Sequence, residues 1–378
     1  MIRHSRLFTI LFALVLLLFI TITPLLSTPS VATFNAGKYS NSQINASSWF
    51  LPAQGIFYSN KIMLNLLPAD NGSFLPSGIF SFKQDPTKSV QFGVYYTQLI
   101  EFNDTNQNGI FDIEDHPINT TDLKDFMWSR PNIDSASSEE VVLLQIGTSK
   151  FMPPIFIRFW LHLYFVNKTV PISPSYPEIN FGVLGEFTIK TFIEIVNYQW
   201  APEDGNGDYD YRMLALNISL RNEGSEKHLF QLANGSIIDS TEPMINTEPV
   251  PSVDEYESLI SLITLNNVTH GELRWFNKAI TGDESPTFLN SSFMTNGTAF
   301  NLYLSVPYYG NTGNTIFLDP SFSMYNPPSD NMLEILQSLF LVLYYFTLGI
   351  GLSPLIILGV STVALIIAIV YYLRRKRI

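Results

Sequence analysis

Acidic and amide side chains alternate along residues 104–115, which read DTNQNGIFDIED. A calcium loop of this length takes oxygen ligands from positions 1, 3, 5, 7, 9 and 12, and it needs glycine at position 6 for a sharp turn. Counted from Asp104, the glycine position falls on Gly109. The predicted ligands, with Ile110 contributing its backbone carbonyl, are Asp104, Asn106, Asn108, Ile110, Asp112 and Asp115. The spacing therefore predicts a Ca²⁺ site in this segment, which we call the acidic loop.

The acidic loop resembles an EF-hand loop, and its final aspartate resembles the calcium loops of dockerin modules. The resemblance covers residues 104–115 only. A predicted strand rather than a helix precedes Asp104, which resembles the strand-borne loops of integrin α-chain propellers. Because aspartate at the last position is shorter than glutamate, we expect a dissociation constant on the order of 10⁻⁴–10⁻³ M. A solvated Asn/Asp turn is the alternative interpretation.

A second acidic segment, EDGNGDYD at 203–210, matches the same pattern less well. Its possible ligands are Asp204, Asn206, Asp208 and Asp210. Tyr209 occupies the glycine position, and no acid follows at the later ligand positions. A partial cation site and a polar hairpin loop are equally compatible with this segment.

The residues give little support for other chemistry. The chain has no cysteine, which excludes thiol catalysis, and no two of its five histidines have zinc spacing. A GxSxG elbow, a P-loop and a Gly-rich dinucleotide turn are all absent. Acidic pairs such as Glu139 and Glu140 could serve a glycosidase, but such clusters are more often solvated surface. We therefore expect a protein that is not an enzyme.

Apolar and polar residues alternate with a period of two in several segments, including 90–102, 157–165, 214–220 and 300–306. Such alternation predicts strands with one buried face, and Asn, Gly and Pro turns separate them. We therefore expect a mainly β fold with two antiparallel β-sandwich-like domains. The prolines of segment 171–177 predict a linker between a first domain, 33–170, which carries the acidic loop, and a second domain, 178–325.

The chain termini predict membrane attachment. Residues 1–32 have a basic start, an apolar middle and a small-residue end, as in a cleaved signal peptide, with an uncleaved anchor as the alternative. Residues 354–373 are uncharged and long enough to span a bilayer, and the basic tail 374–378 follows them, which places the tail in the cytoplasm. The apolar segment 333–352 is expected to flank the membrane, with 326–332 as a stalk. This arrangement is a single-pass, type I membrane protein.

The predicted ectodomain is acidic and rich in N-glycosylation sequons. It carries 15 Lys and Arg against 32 Asp and Glu, about −17 in all, which argues against nucleic acid as a partner. The N-x-S/T acceptors are Asn45, Asn71, Asn103, Asn119, Asn167, Asn217, Asn234, Asn267, Asn290 and Asn296. Asn217 falls on the polar side of its predicted strand, where a glycan would be tolerated. Sequons without cysteine make the chain similar in style to archaeal cell-surface proteins.

These features together predict a membrane-anchored surface glycoprotein with a role in surface interaction, adhesion or envelope structure, braced by a structural Ca²⁺. Its partners would be other surface proteins or glycans. An ectoenzyme or solute-binding protein for sugars or peptides is the first alternative. An accessory subunit of a membrane complex, docked through 333–352, is the second.

Overall fold

The computed structural model describes residues 49–327, except 52–53, 86, 152, 174–175, 202–210, 246–247, 282–285 and 309–314. The described part is mainly β, with antiparallel pairing throughout and one short 3-10 helix at Leu123–Asp125. Among these residues no helix is long and apolar enough to cross a membrane. The predicted signal peptide, second acidic loop, membrane segments and basic tail lie outside the described residues, as does most of the predicted stalk.

The strands are numbered in chain order. The first twelve are β1 (Trp49–Leu51), β2 (Gln54–Tyr58), β3 (Ile62–Pro68), β4 (Phe74–Phe82), β5 (Gln91–Asn103), β6 (His116–Asp122), β7 (Met127–Trp128), β8 (Asn132–Ala136), β9 (Glu140–Thr148), β10 (Phe156–Tyr164), β11 (Lys168–Ser173) and β12 (Tyr176–Val183). The others are β13 (Thr188–Val196), β14 (Arg212–Asn222), β15 (His228–Leu232), β16 (Ile237–Ile238), β17 (Met244–Ile245), β18 (Glu257–Thr264), β19 (Thr269–Phe276), β20 (Lys278–Thr281), β21 (Pro286–Phe288), β22 (Asn290–Thr295), β23 (Phe300–Pro307), β24 (Thr315–Leu318) and β25 (Ser321–Met324).

Two large sheets contain most of these strands. Sheet 1 has the order β1-β2-β3-β4-β5-β14-β23-β22-β17, and β6 pairs with the end of β5. Sheet 2 has the order β16-β15-β18-β19-β25-β13-β10-β9-β7. Of its other strands, β8 pairs with β9, β24 pairs with β13, β20 pairs with β24, and β21 pairs with β20. Strands β11 and β12 form a separate two-stranded sheet.

The main hydrophobic core lies between sheets 1 and 2. The apolar sides of β10, β14 and β23 enter this core as the alternation predicts. Aromatic contacts join the two sheets: the ring centroids of Phe80 and Phe322 lie 4.5 Å apart, and those of Tyr96 and Phe159 lie 4.9 Å apart. Facing apolar sides of twisted sheets bury one another in this way in β-sandwiches. The prediction of a mainly β, antiparallel fold is therefore confirmed.

The predicted division into domains 33–170 and 178–325 does not match the strand pairing. Strand β5 pairs along its length with β14, from Asn103 opposite Arg212 to Phe92 opposite Asn222. Strand β10, also from the first half, pairs with β13 from the second half. Both sheets thus mix the halves, and all described residues belong to one compact unit. Local sequence could not reveal this, because strand pairing between distant segments leaves no local pattern.

The Pro-rich segment 171–177 is part of a hairpin rather than a linker. Pro171 lies opposite Asn180 in the β11–β12 pair, and the register shifts between Pro171 and Ser173. Proline lacks a backbone N–H, so it is tolerated at edges and at bulges of a sheet but not in a central strand. A two-stranded sheet has only edges, which explains why prolines occur here.

A bulge in β5 changes which side chains face the core. Gln98 pairs with Asn217 and Tyr96 pairs with Ile218, so Thr97 is an extra residue. Beyond it, Leu99 joins the main core, whereas Ile100 and Phe102 join a second cluster. Unbroken alternation over 90–102 would put Ile100 and Phe102 on the same side as Val90; that expectation is wrong, because an extra residue exchanges the two faces of a strand.

Candidate calcium site

The acidic loop connects β5 to β6 and packs on the side of sheet 1 that faces away from the main core. Phe111 lies in the second hydrophobic cluster, with ring centroids 5.1 Å from Phe102 and 4.9 Å from Tyr303. Its N–H donates to Ser305 Oγ at 3.3 Å, and Ser292 Oγ donates to its carbonyl at 2.5 Å. The loop is therefore fixed to strands β22 and β23 through its apolar position.

The first half of the loop folds around the carboxylate of Asp104. This carboxylate accepts hydrogen bonds from the N–H groups of Asn108, at 3.1 Å, and Gly109, at 2.7 Å. Asn106 Oδ1 accepts from the Asn108 N–H and Asn108 Oδ1 accepts from the Ile110 N–H. Gly109 has φ +76°, and a Cβ there would lie 2.4 Å from Asn290 Nδ2. The positive φ is the reason that glycine is favoured at this position, since only the end of the flexible Asn290 side chain would have to move for a Cβ.

Three carboxylates are buried inside the loop: Asp104, Asp112 and Asp115 are 4%, 1% and 5% exposed. Within the described part of the chain, none of them forms a salt bridge with Lys, Arg or His. Burial raises the pKa of Asp115 to about 6; hydrogen bonds from the N–H groups of Asp112 and Thr105 oppose the rise, and the Asp112 and Asp104 charges add to it. Buried carboxylates without a cation are costly, and a divalent ion would remove this cost.

The structure brings together the predicted side-chain ligands, although not in a finished coordination sphere. The amide Nδ2 atoms of Asn106 and Asn108 donate to Asp112 Oδ2 at 3.1 and 2.7 Å. Calcium coordination requires both side chains to present oxygen instead. Oxygens of the three aspartates do not all lie within 4.8 Å of one another.

The residues that hold the loop in place could not be identified from the sequence. Ser292 and Ser305 come from strands far along the chain, and Glu114 accepts a hydrogen bond from Asn106 Nδ2 at 3.2 Å. The carboxylate of Glu114 was visible in the sequence, at a position that is not a ligand position. Nothing in the sequence marks the two serines. The other proposed cation ligands, in the 204–210 loop, lie outside the described residues.

The sequons differ in accessibility. The side chains of Asn103 and Asn290 are partly buried. The sequon side chains that are exposed are Asn71, Asn119, Asn167, Asn234, Asn267 and Asn296. Asn217 is only 6% exposed, and its Oδ1 has no hydrogen-bond partner among the described residues. The expectation that Asn217 tolerates a glycan was wrong, because its side chain is buried among neighbouring side chains on that face of sheet 1. Asn45 lies outside the described residues.

Two surface cavities of the described part of the chain have few acidic lining residues. A cavity of about 390 Å³ on sheet 1 has Asp122 as its one acidic lining residue, and one of about 680 Å³ has Asp122 and Asp125. Asp122 accepts a hydrogen bond from Gln98 and pairs with Lys124 at 3.3 Å. Glu140, from the acidic pair in the sequence, contacts His162 and pairs with Lys168 at 3.0 Å.

Comparison with known proteins gives distant likenesses only. No protein-family model and no curated protein sequence matches the chain. A crystal structure of a galactose mutarotase-like protein from Clostridium acetobutylicum has a TM-score of 0.33 and 10% identity, covering 76% of this chain and 100% of that one. The crystal structure of HI1317 has a TM-score of 0.28 and 9% identity, covering 74% of this chain and 98% of that one. At these scores neither likeness carries a conclusion about this chain.

Proposed function

We propose that the chain is a single-pass, type I membrane-anchored surface glycoprotein without enzymatic activity, and that its acidic loop binds a structural Ca²⁺. Its role is in surface interaction, adhesion or envelope structure. The calcium proposal rests on one observation: three buried aspartates of the loop lack a cationic partner in the described part of the chain. Membrane attachment rests on the apolar and basic patterns of the two chain ends.

Six exposed sequons support the glycoprotein part of the proposal. Five of them lie in turns or loops between strands and Asn119 lies in β6, all on accessible side chains where an attached glycan meets solvent. The acidic surface charge of the predicted ectodomain favours solvation and cation binding over contact with anionic lipid or nucleic acid.

Calcium would do in this cysteine-free chain what a disulfide does in other surface proteins. The acidic loop fixes the backbone of residues 104–115 against sheet 1, and ordering these residues costs conformational entropy. An ion that binds only the folded loop shifts the folding equilibrium towards the folded state. We therefore propose that the ion stabilises the folded loop and that the glycan-bearing surface binds the partners.

The test is thermal unfolding of the purified full-length chain with Ca²⁺ and with a chelator. We expect Ca²⁺ at about ten times the dissociation constant to raise the melting temperature by several degrees, since ligand binding at that level adds about 1.4 kcal/mol. The variant Asp104→Ala/Asp112→Ala should lose this shift. Asp134→Ala, at an exposed aspartate of β8, should keep it. An unchanged midpoint in the unmodified chain would refute the calcium proposal.

A further inference from the structure

Two histidines that are far apart in the sequence meet at one end of sheet 2. His228 begins β15 and lies opposite Thr264, the last residue of β18. His270 lies in β19 at a bulge, where Ile263 pairs with Thr269 and Leu262 pairs with Gly271. The two imidazole ring centroids are 5.3 Å apart, with an interplanar angle of 80°. Bulges redirect a side chain locally and are frequent beside functional sites.

Both imidazoles are buried, and each has a nitrogen without a partner. His228 is 3% exposed and His270 is 6% exposed. His228 Nδ1 lies 3.0 Å from the backbone carbonyl of Glu226, which only accepts, so Nδ1 carries the proton and Nε2 carries a lone pair. Within the described part of the chain, neither His228 Nε2 nor His270 Nδ1 has a hydrogen-bond partner. Such buried polar atoms are rare in folded proteins and require an explanation.

The carboxylate of Glu226 completes this group from the solvent side. Ligand atoms of Glu226, His228 and His270 all lie within 4.8 Å of one another, and Glu226 is partly exposed. The Glu226 backbone is held on both sides: its N–H donates to the Ser89 carbonyl at 2.9 Å, and its carbonyl accepts from Asn222 Nδ2 at 2.7 Å. The side chain therefore starts from a fixed position next to the two rings.

We propose that Glu226, His228 and His270 form a binding site for a divalent transition-metal ion, with Zn²⁺ as the best fit. Two imidazole nitrogens and one carboxylate are a common zinc ligand set, and a water molecule fills the fourth position. The hydrogen bond from His228 Nδ1 to a carbonyl is the contact that orients a metal-binding histidine. Calcium prefers oxygen ligands, so this site is chemically distinct from the acidic loop.

Metal binding requires only a small movement of the three side chains. Zinc bonds of about 2.0–2.1 Å in tetrahedral geometry place ligand atoms about 3.3 Å apart, against separations of up to 4.8 Å in the empty group. The ion would join β15 to β19 and hold both against sheet 1. There the Phe92 ring meets His228 at 4.8 Å, and the Phe82 ring lies 6.4 Å from His270. It would act as a clamp between strands.

The experiment measures Zn²⁺ and Co²⁺ binding to the full-length chain, stripped of transition metals, in about 10 mM Ca²⁺, which is about ten times the weakest dissociation constant expected for the acidic loop. We expect one tightly bound Zn²⁺ per chain and, with Co²⁺, a visible absorption band typical of four-coordinate cobalt. Zn²⁺ should also raise the melting temperature. A chain that takes up no stoichiometric Zn²⁺, or whose Co²⁺ spectrum is that of the aqueous ion, would overturn the proposal.

Variants locate the ion. Glu226→Gln keeps the shape of the side chain but removes the charged ligand oxygen. We expect it to weaken Zn²⁺ binding about tenfold or more, because even losing a residue that only contacts a metal ligand has an effect of that size. Glu223→Gln, an exposed acid of the same turn, should bind as the unmodified chain does. His228→Gln/His270→Gln should abolish binding. If the double variant does not fold, the comparison of Glu226→Gln with Glu223→Gln is sufficient. Equal Zn²⁺ affinities of these two variants would refute the site.

Discussion

At the scale of single residues, the carboxylate of Asp85 holds the turn between β4 and β5. It accepts hydrogen bonds from Thr87 Oγ1 at 2.6 Å, Ser89 Oγ at 2.9 Å and the Val90 N–H at 3.0 Å. Burial alone would raise the pKa of Asp85, but these hydrogen bonds outweigh it and lower the pKa below its ordinary value of 3.8. The charged form is therefore the one that the folded chain prefers.

We expect Asp85→Asn to destabilise the chain at neutral pH by about 1–3 kcal/mol, because donors aimed at a carboxylate lose a charged acceptor. The pKa of Asp85 is lower in the folded chain than in the unfolded chain. The stability that its carboxylate contributes is therefore fully present above the unfolded-state pKa and is lost as pH falls through the folded-state pKa. The difference from the unmodified chain, measured by urea unfolding at several pH values, should shrink below about pH 4. Asp70→Asn, at an exposed aspartate, is the control. A difference that does not change with pH would contradict the assignment.

The compact fold of the acidic loop around Asp104 was predictable, because the spacing of its acidic and amide residues is local. Its six calcium ligands stay a prediction. The group of Glu226, His228 and His270 was not predictable. Its histidines come from different strands, and their meeting depends on the β15–β18–β19 register and on one bulge. Local patterns reveal local sites, and sites made by strand pairing require the fold.

At the scale of secondary structure elements, the bulge at Thr97 and the acidic loop depend on each other. The bulge turns Ile100 and Phe102 away from the main core, which leaves apolar side chains on the outer side of sheet 1. Phe111 of the acidic loop then covers them. The alternation in residues 90–102 predicted the strand correctly but could not show the extra residue, because both faces carry apolar side chains beyond it.

This arrangement predicts unequal effects for two apolar residues of the loop. Phe111→Ala should destabilise the chain by about 3–5 kcal/mol, since it removes a buried ring from a packed cluster. Ile113→Ala, at a side chain that is 63% exposed, should change stability by less than about 0.5 kcal/mol. Urea unfolding of the full-length chain in saturating Ca²⁺ measures both. Similar losses for the two variants would mean that the loop is not anchored through Phe111.

The same pair also separates anchoring from ion binding. Phe111 contributes no ligand atom through its side chain, but it fixes the backbone between Ile110 and Asp112. We therefore expect Phe111→Ala to weaken Ca²⁺ binding through greater loop freedom, while Ile113→Ala leaves the affinity unchanged. Calorimetric titration with Ca²⁺ compares them.

At the scale of the whole molecule, the described chain is one folding unit despite the Pro-rich punctuation at 171–177. Sheet 1 is continuous only because β14, from the second half, lies between β5 and β23. Sheet 2 is continuous only because β13 lies between β10 and β25. Removing either half would leave long unpaired strand edges and expose the core between the sheets.

We therefore expect the two halves of the folded region to unfold together. Hydrogen exchange of the full-length chain in increasing denaturant should show that peptides from β5 and β10 lose protection at the same midpoint as peptides from β13 and β14. Two independent sandwiches would instead give two midpoints, divided at 171–177. Peptides from the β11–β12 hairpin are the internal control. This hairpin pairs with neither large sheet, so it should exchange at lower denaturant than the four central strands.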